Sequence, residues 1–227
     1  MKKIITLFIL LVLSISGFAI PPTSDLSGIL SETGLNFDLT LPGENGVKVC
    51  AGDFNNDGKK DFIINGLHTS GETTKAFLRI YTGQATGAPT LAYQDDEYSI
   101  AGNGAIDCYQ ISEDSYLVAI QGGAIGNWTN PFTANVYKLT YASGTFELSL
   151  IQNLTTGAGR GSILFLDSNN DGYVDIFQNG WSNTTNWTAQ SNLYINDGNN
   201  HFADAISATG IPAKANLTTI KGDINND

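Results

Sequence analysis

Residues 53–61 read DFNNDGKKD and lead into FIING at 62–66, and residues 167–175 read DSNNDGYVD and lead into IFQNG at 176–180. Both stretches place oxygen-bearing side chains at alternate positions and then a glycine that permits a sharp turn, which suits a hard cation such as Ca²⁺. Residues 222–227, GDINND, begin in the same way. The recurrence of one acidic loop between apolar runs predicts a repeated structural unit and a candidate cation site.

The helix-loop-helix calcium motif known as the EF-hand opens with the same letters, and the sequence excludes it. That motif needs a bidentate glutamate at the twelfth position of the loop and a helix on each side. Counted from the first aspartate, the twelfth residues here are Ile64 and Gln178, and the closing carboxylate comes earlier, at Asp61 and Asp175. The flanking runs are rich in β-branched and aromatic residues, which indicates strands.

The acidic stretches recur at a regular interval. Clear copies begin at Asp53, Asp167 and Asp223, and a weaker copy begins at Asp107, so that successive copies start 54, 60 and 56 residues apart. Each interval holds four short apolar or alternating runs separated by turn residues, an arrangement typical of one blade of a β-propeller. In the weaker copy the ligand positions carry poorer donors, so that this copy is expected to have lost its ion: Tyr109, Ile111 and Ser115.

We therefore predict an all-β fold, a β-propeller of four-stranded antiparallel blades. The expected blades span about 45–100, 101–155 and 156–210, with the start of a next blade at 211–227. Because a propeller closes with about four to eight blades, the chain is interpreted as an incomplete propeller of about three blades plus a partial fourth. The missing C-terminal blades would lie in a longer protein, and segment 20–44 holds a possible outer strand at 35–41.

The sequence resembles the FG-GAP or VCBS repeats of integrin α-subunit propellers and of many secreted bacterial proteins. The residues that carry the resemblance are GDFNNDG at 52–58 with Asp61, the stretch 167–175, and NLYINDG at 192–198 with Phe202. It covers roughly residues 45 to 227. The resemblance implies a propeller with Ca²⁺ in the loop between the first and second strands of a blade, and it says much less about function.

The resemblance also implies which residues would hold the ion. In the first loop these are Asp53, Asn55, Asp57, the backbone carbonyl of Lys59, and Asp61. In the second loop they are Asp167, Asn169, Asp171, the backbone carbonyl of Tyr173, and Asp175. In the partial third loop they are Asp223, Asn225 and Asp227. The alternative from the residues themselves is an ordered polar turn without an ion.

The first nineteen residues are typical of a cleaved signal peptide. Lys2 and Lys3 precede an apolar stretch at 4–15, and SGFA at 16–19 offers small residues for cleavage. No cysteine follows directly, so a lipid anchor is not expected, and no later run is long and apolar enough to span a bilayer. A secreted, periplasmic or cell-surface location follows. The formal net charge of −11 makes nucleic acid an improbable partner.

Three tryptophans fall in the loops between the predicted second and third strands, on the face opposite the metal loops: Trp128, Trp181 and Trp187. They could stack on sugar rings or anchor a protein partner, or they could only fill space between blades. No catalytic motif is found. The sequence therefore favours a secreted calcium-binding scaffold for adhesion or for an extracellular protein or glycan ligand. The alternatives are the body or catalytic propeller of a polysaccharide-degrading enzyme, and a passive spacer.

The two cysteines, Cys50 and Cys108, are expected to remain unpaired. If the copies are aligned on Asp53 and Asp107, the offsets of the two cysteines differ by an even number of residues. In regular strands both thiols would then leave equivalent faces of neighbouring blades, so that one would point back and the other onward. This expectation assumes that the strand register continues through the weaker copy.

Overall fold

A computed structural model describes residues 47–70, 73–98, 101–123, 132–154, 159, 161–182, 188–213 and 219. Within them, twelve strands form three four-stranded antiparallel sheets, each with its strands in sequence order. The expected all-β class and the four-stranded antiparallel sheets are thus confirmed. The signal peptide, segment 20–44 and the third acidic loop with Asp223, Asn225 and Asp227 lie outside the described residues.

The strands have the following bounds. Sheet 1 consists of β1 (Lys48–Gly52), β2 (Asp61–Ser70), β3 (Thr73–Thr82) and β4 (Thr90–Tyr98). Sheet 2 consists of β5 (Ala101–Ser112), β6 (Ser115–Gly123), β7 (Thr133–Ala142) and β8 (Thr145–Leu154). Sheet 3 consists of β9 (Ile163–Leu166), β10 (Asp175–Trp181), β11 (Ala189–Asn196) and β12 (Phe202–Asp204), followed by one helical turn, α1 (Ile206–Thr209).

Sheet 2 lies between the other two and is buried on both faces. Successive side chains of a strand point to opposite faces, so the apolar run of β6 serves two cores at once. Val118 and Ile120 belong to the first core cluster, shared with sheet 1, whereas Leu117 and Ala119 belong to the second, shared with sheet 3. All four side chains are fully buried. A continuous apolar run is what a strand covered on both faces requires.

The two core clusters hold the three sheets together in a row. The first is centred on aromatic contacts such as the edge-to-face pair of Phe54 and Tyr116, whose ring centroids are 4.8 Å apart. The second contains Phe165, Ile176 and Tyr194 from sheet 3. Burial of a large apolar side chain contributes about 1.5–3 kcal/mol, so these interfaces are the main stabilising term.

Neighbouring sheets also meet at both edges. Their first strands lie side by side, β1 with β5 and β5 with β9. The carboxylate of Asp107 in β5 accepts a hydrogen bond of 2.8 Å from the backbone N–H of Phe165 in β9. At the outer edge, the amide of Gln152 in β8 makes two hydrogen bonds, of 2.8 and 2.9 Å, with the backbone of Phe202 in β12. The described sheets do not close into a ring.

The second sheet departs from the expected register. Asp107 does not open a loop, because β5 continues to Ser112 and a short turn leads directly into β6 at Ser115. The pairing shifts near that turn, between Gln110 and Ser112, so that β5 is no longer aligned with β1 as the repeat suggested. The assumption of a continuous register was therefore wrong.

The shifted register changes where the cysteines point. Cys50 pairs with Ile63, which faces sheet 2, and Cys108 pairs with Val118, which faces sheet 1. Both cysteines carry free thiols in this structure. The expected orientation is wrong, because their side chains meet in the same core cluster instead of pointing the same way around a ring. That orientation was the ground for expecting no disulfide between them.

Candidate functional site

The acidic loops occupy equivalent places in sheets 1 and 3. The first acidic loop, residues 53–61, joins β1 to β2, and the second, residues 167–175, joins β9 to β10. Each loop passes through the left-handed region at its fourth residue, Asn56 or Asn170, with φ of 56° and 58°. Each does so again at its glycine, with φ of 81° and 86°. Asparagine and glycine tolerate this conformation best, which explains their positions.

The alternate polar side chains of the first acidic loop bind the loop's own backbone. The carboxylate of Asp53 accepts hydrogen bonds from the N–H groups of Asp57 and Gly58, at 2.9 and 2.8 Å. Asn55 Oδ1 accepts one from Asp57 N at 3.2 Å, and Asp57 Oδ1 accepts one from Lys59 N at 2.9 Å. These bonds close the tight turn.

The second acidic loop repeats this pattern bond for bond. Asp167 accepts from the N–H groups of Asp171 and Gly172, at 3.2 and 2.9 Å. Asn169 Oδ1 accepts from Asp171 N at 3.1 Å, and Asp171 Oδ1 accepts from Tyr173 N at 2.8 Å. Two loops that share their polar positions and one glycine thus adopt the same turn.

The closing aspartate of each loop is fully buried. Asp61 Oδ2 accepts hydrogen bonds from Phe54 N at 2.8 Å and Asn55 N at 3.2 Å, and its Oδ1 accepts one from Gly83 N, just beyond β3, at 2.8 Å. The carboxylate therefore joins the start of the loop to the end of the third strand.

In the second acidic loop, Asp175 makes the same connection. Its Oδ2 accepts from the N–H of Ser168 at 3.0 Å and from that residue's hydroxyl group, and its Oδ1 accepts from Asn196 N at the end of β11 at 2.9 Å. Gly83 and Asn196 were not among the expected site residues. The turn sequence at 196–198 was the only signal that could have pointed to Asn196.

The two loops differ in charge at the seventh position. Lys59 Nζ lies 2.8 Å from Asp57 Oδ2, and this hydrogen bond lowers the pKa of Asp57 and raises the pKa of Lys59. Both groups are exposed to solvent, so the ion pair adds little stability. Burial raises the pKa of Asp61, against the opposing effect of its backbone hydrogen bonds. The second loop has Tyr173 in place of the lysine.

The donor types of both loops fit a hard cation, since each offers three carboxylates and one side-chain amide oxygen. A carboxylate can accept about four hydrogen bonds or ligand contacts, so the bonds described above leave acceptor capacity. Over the described residues, however, no group of three or more His, Cys, Asp or Glu side chains is gathered closely enough to hold a metal ion. The contacts that are present connect the side-chain oxygens to backbone N–H groups.

The tight turn of sheet 2 takes the place of an acidic loop. Tyr109 and Ile111, which occupy expected ligand positions, lie in β5 and are exposed to solvent. Ser115 begins β6. Because this hairpin turn is short, few residues must be ordered to close it, and it needs no cluster of carboxylates.

Of the three tryptophans, only Trp181 is described; Trp128 and Trp187 lie outside the described residues. Trp181 ends β10 and is half-buried, and its backbone exchanges two hydrogen bonds with Gly159, of 2.8 and 3.0 Å. Since β10 begins at Asp175, the indole lies about 20 Å from the acidic loop along the strand. It therefore lies at the end of β10 that is opposite the acidic loop, and it belongs to the strand and not to the loop in which the sequence placed it.

Comparison with protein-family models, curated proteins and solved structures finds no match to this chain. Among the helical residues that the structure describes, there is no segment long and apolar enough to cross a membrane.

Proposed function

We propose that this chain is a calcium-stabilised β-propeller segment of the FG-GAP or VCBS type, exported from the cell, which serves as a scaffold for binding an extracellular protein or glycan. The observation that carries this proposal is the identical folding of the two acidic loops, each between the first and second strands of its sheet. A repeated local geometry at equivalent places is typical of a repeated site.

The sheet arrangement supports the propeller. Three four-stranded antiparallel sheets in sequence order pack face to face, and the first strand of each lies beside the first strand of the next. Blades of a propeller are related in this way around an axis. Closure of the ring would require further blades next to sheets 1 and 3.

The donor chemistry supports calcium. Asp53, Asn55, Asp57 and Asp61 would hold an ion in the first acidic loop, together with the carbonyl of Lys59, and the matching residues would hold one in the second. A bound cation would offset the repulsion among three carboxylates in each loop. The intraloop hydrogen bonds already fix the backbone turn, so binding would require mainly a convergence of side chains.

The position of Trp181 supports a separate binding face. A half-buried indole at the edge opposite the acidic loops can stack on a sugar ring or insert into a protein partner. The acidic loops lie at one end of the strands and Trp181 lies at the other end. Ion binding would therefore stabilise the scaffold without occupying the proposed ligand face.

Calcium titration of the full chain tests the proposal. Isothermal calorimetry is expected to give one ion for each intact acidic loop, and thermal unfolding is expected to shift upward in Ca²⁺ relative to chelator. At a free calcium concentration of one hundred times Kd, the stabilisation is about 2.7 kcal/mol per site. The variant Asp53→Ala with Asp167→Ala should lose both effects. Equal melting temperatures in calcium and chelator for the native chain would contradict the proposal.

Ligand binding is tested separately by tryptophan fluorescence. Titration with neutral oligosaccharides is expected to change the emission of the native chain, and Trp181→Ala should weaken the interaction. The double variant Asp53→Ala with Asp167→Ala, measured at a temperature where it is folded, is the matched control and should still bind the oligosaccharide. If oligosaccharide binding is lost in the Asp53→Ala, Asp167→Ala variant but unchanged in Trp181→Ala, the ligand site is not at Trp181 and this part of the proposal is wrong.

A further inference from the structure

The thiols of Cys50 and Cys108 lie next to each other across the interface between sheets 1 and 2. Cys50 is in β1 and Cys108 is in β5, two strands that run side by side. The sulfur of Cys108 lies 3.8 Å from the backbone oxygen of Ala51, the residue that follows Cys50. Cys50 belongs to the first core cluster and Cys108 packs against it, and the neighbouring Cys108 thiol contributes, after burial, to the raised pKa of Cys50.

We propose that Cys50 and Cys108 form a disulfide that joins β1 of sheet 1 to β5 of sheet 2. A disulfide requires strands that already approach each other and Cβ vectors that converge, because a separation of the Cα atoms beyond about 7 Å cannot be bridged. The two strands lie side by side, both side chains face the same core, and the sulfur of Cys108 reaches the backbone of the residue next to Cys50, which is the approach that such a bond needs. This inference does not depend on calcium or on a ligand.

The two cysteines differ in solvent exposure, and this difference sets which thiol reacts first with an external disulfide. Cys108 is partly exposed, whereas Cys50 is buried, and burial together with the hydrogen bond to Cys108 raises the pKa of the Cys50 thiol. The thiolate is the reactive form, so Cys108 is the group that attacks an external oxidant first. Cys50 then attacks the Cys108 sulfur of the mixed disulfide.

The oxidant is a small disulfide such as oxidised glutathione. The thiolate of Cys108 attacks one of its sulfur atoms, the external S–S bond breaks, and one glutathione thiol leaves. Cys50 then loses its proton and attacks the Cys108 sulfur of the mixed disulfide, which releases the second glutathione thiol. Two protein S–H groups become one S–S bond, and one external disulfide becomes two thiols.

The bond would constrain the unfolded chain between residues 50 and 108, which includes most of sheet 1. Long closed loops give large entropic stabilisation, so the melting temperature of the oxidised chain should exceed that of the reduced chain by about 5–15 °C. Cys108→Ser should abolish this difference and leave a melting temperature close to that of the reduced native chain.

Mass spectrometry of the full chain tests the linkage. The reduced, folded protein is incubated with oxidised glutathione, and its remaining thiols are blocked before digestion with trypsin. The expected product is peptide 49–59 joined to peptide 80–138, with a loss of two hydrogen atoms in the intact mass. A folded chain that retains two titratable thiols, or that carries only glutathione adducts or links between molecules, would overturn the proposal.

A variant in which the cysteine is moved from position 108 to position 109 provides the matched control. Tyr109 neighbours Cys108 but points to the other side of sheet 2, where its ring lies 6.2 Å from that of Phe165. In the double variant Cys108→Ser with Tyr109→Cys, the thiol should react with glutathione without linking to Cys50. If this variant forms the cross-link as readily as the native chain, the pairing reflects a mobile chain and the proposed site is wrong.

Discussion

Replacement of Asp61 by alanine separates the structural role of the acidic loop from its proposed metal-binding role. Asp61 is fully buried and accepts three backbone hydrogen bonds, from Phe54, Asn55 and Gly83. The alanine variant leaves these donors without the carboxylate. Because the bonds connect the loop to the end of β3, their loss affects the sheet and not only the turn.

The magnitude follows from the burial of the donors. Phe54 and Gly83 are buried and Asn55 is partly buried, and each buried donor without an acceptor costs about 1–3 kcal/mol. Removal of a buried carboxylate, whose pKa is raised by burial, returns part of this free energy. We expect a net loss of about 2–5 kcal/mol from a total of about 5–15 kcal/mol.

Urea denaturation in chelator is the assay, with Asp53→Ala as the control. The donors bonded to Asp53 are Asp57 N and Gly58 N, both in the exposed part of the loop, where water can replace the carboxylate. The control should lose less than about 1 kcal/mol in chelator. In saturating calcium, however, both variants should lack the stabilisation that the ion gives to the native chain.

If Asp61→Ala and Asp53→Ala lose equal stability in chelator, the three backbone bonds of Asp61 do not stabilise sheet 1 as the geometry implies. If Asp61→Ala is as stable as the native chain in chelator, the closing carboxylate has no structural role.

Three further predictions concern the loops and the sheet contacts. Lys59→Tyr, which gives the first acidic loop the seventh residue of the second, should tighten calcium binding roughly tenfold in a calorimetric titration at low salt, because a positive charge beside the site is removed. Gly104→Ala should destabilise sheet 2 by about 1–3 kcal/mol or more in thermal unfolding, since an added Cβ would lie 1.7 Å from Gln121 O. The control Gly144→Ala should cost about 1 kcal/mol, because that residue has a φ of 82° but open space around an added Cβ. Tyr116→Phe should cost about 0.5–1.5 kcal/mol in urea denaturation, because it removes the 2.9 Å hydrogen bond from the hydroxyl group to Asp53 O between sheets.

The strands and turns of sheets 1 and 3 could be predicted because their signals are local. The left-handed residues of the acidic loops and the apolar runs after them are set by neighbouring residues in the sequence. The role of Asp61 could not be found in this way. Its partner Gly83 lies 22 residues away, and the contact exists only after β3 has paired with β2.

Sheet 2 shows why a sequence repeat does not fix strand register. The repeat interval aligns Asp107 with Asp53, yet Asp107 lies within β5 and binds the backbone of Phe165 in the next sheet. A short hairpin sets its own pairing, and a shift of one residue reverses the face of every side chain. The direction of Cys108 was therefore missed for the same reason as the role of Asp107.

A buried amide next to a glycine recurs in all three sheets, and in two of them it makes a contact outside its own sheet. An amide residue precedes a glycine in the second strand of each sheet, at the fifth residue of β2 and β10 and at the seventh residue of β6: Asn65, Asn179 and Gln121. All three are buried. Asn65 donates to Phe77 O within its own sheet, Gln121 donates to Asn179 O of the following sheet, and Asn179 donates to Thr219 Oγ1 at 2.6 Å.

Two of these three amides bind outside their own sheet. A buried amide group needs a partner, and the side-chain NH2 of Gln121 finds one in sheet 3, whereas that of Asn179 finds one in Thr219, beyond the last strand of sheet 3. Asn65 donates within sheet 1. Thr219 therefore takes, for the amide of Asn179, the part that sheet 3 takes for Gln121, which supports the proposal that a further blade packs against sheet 3.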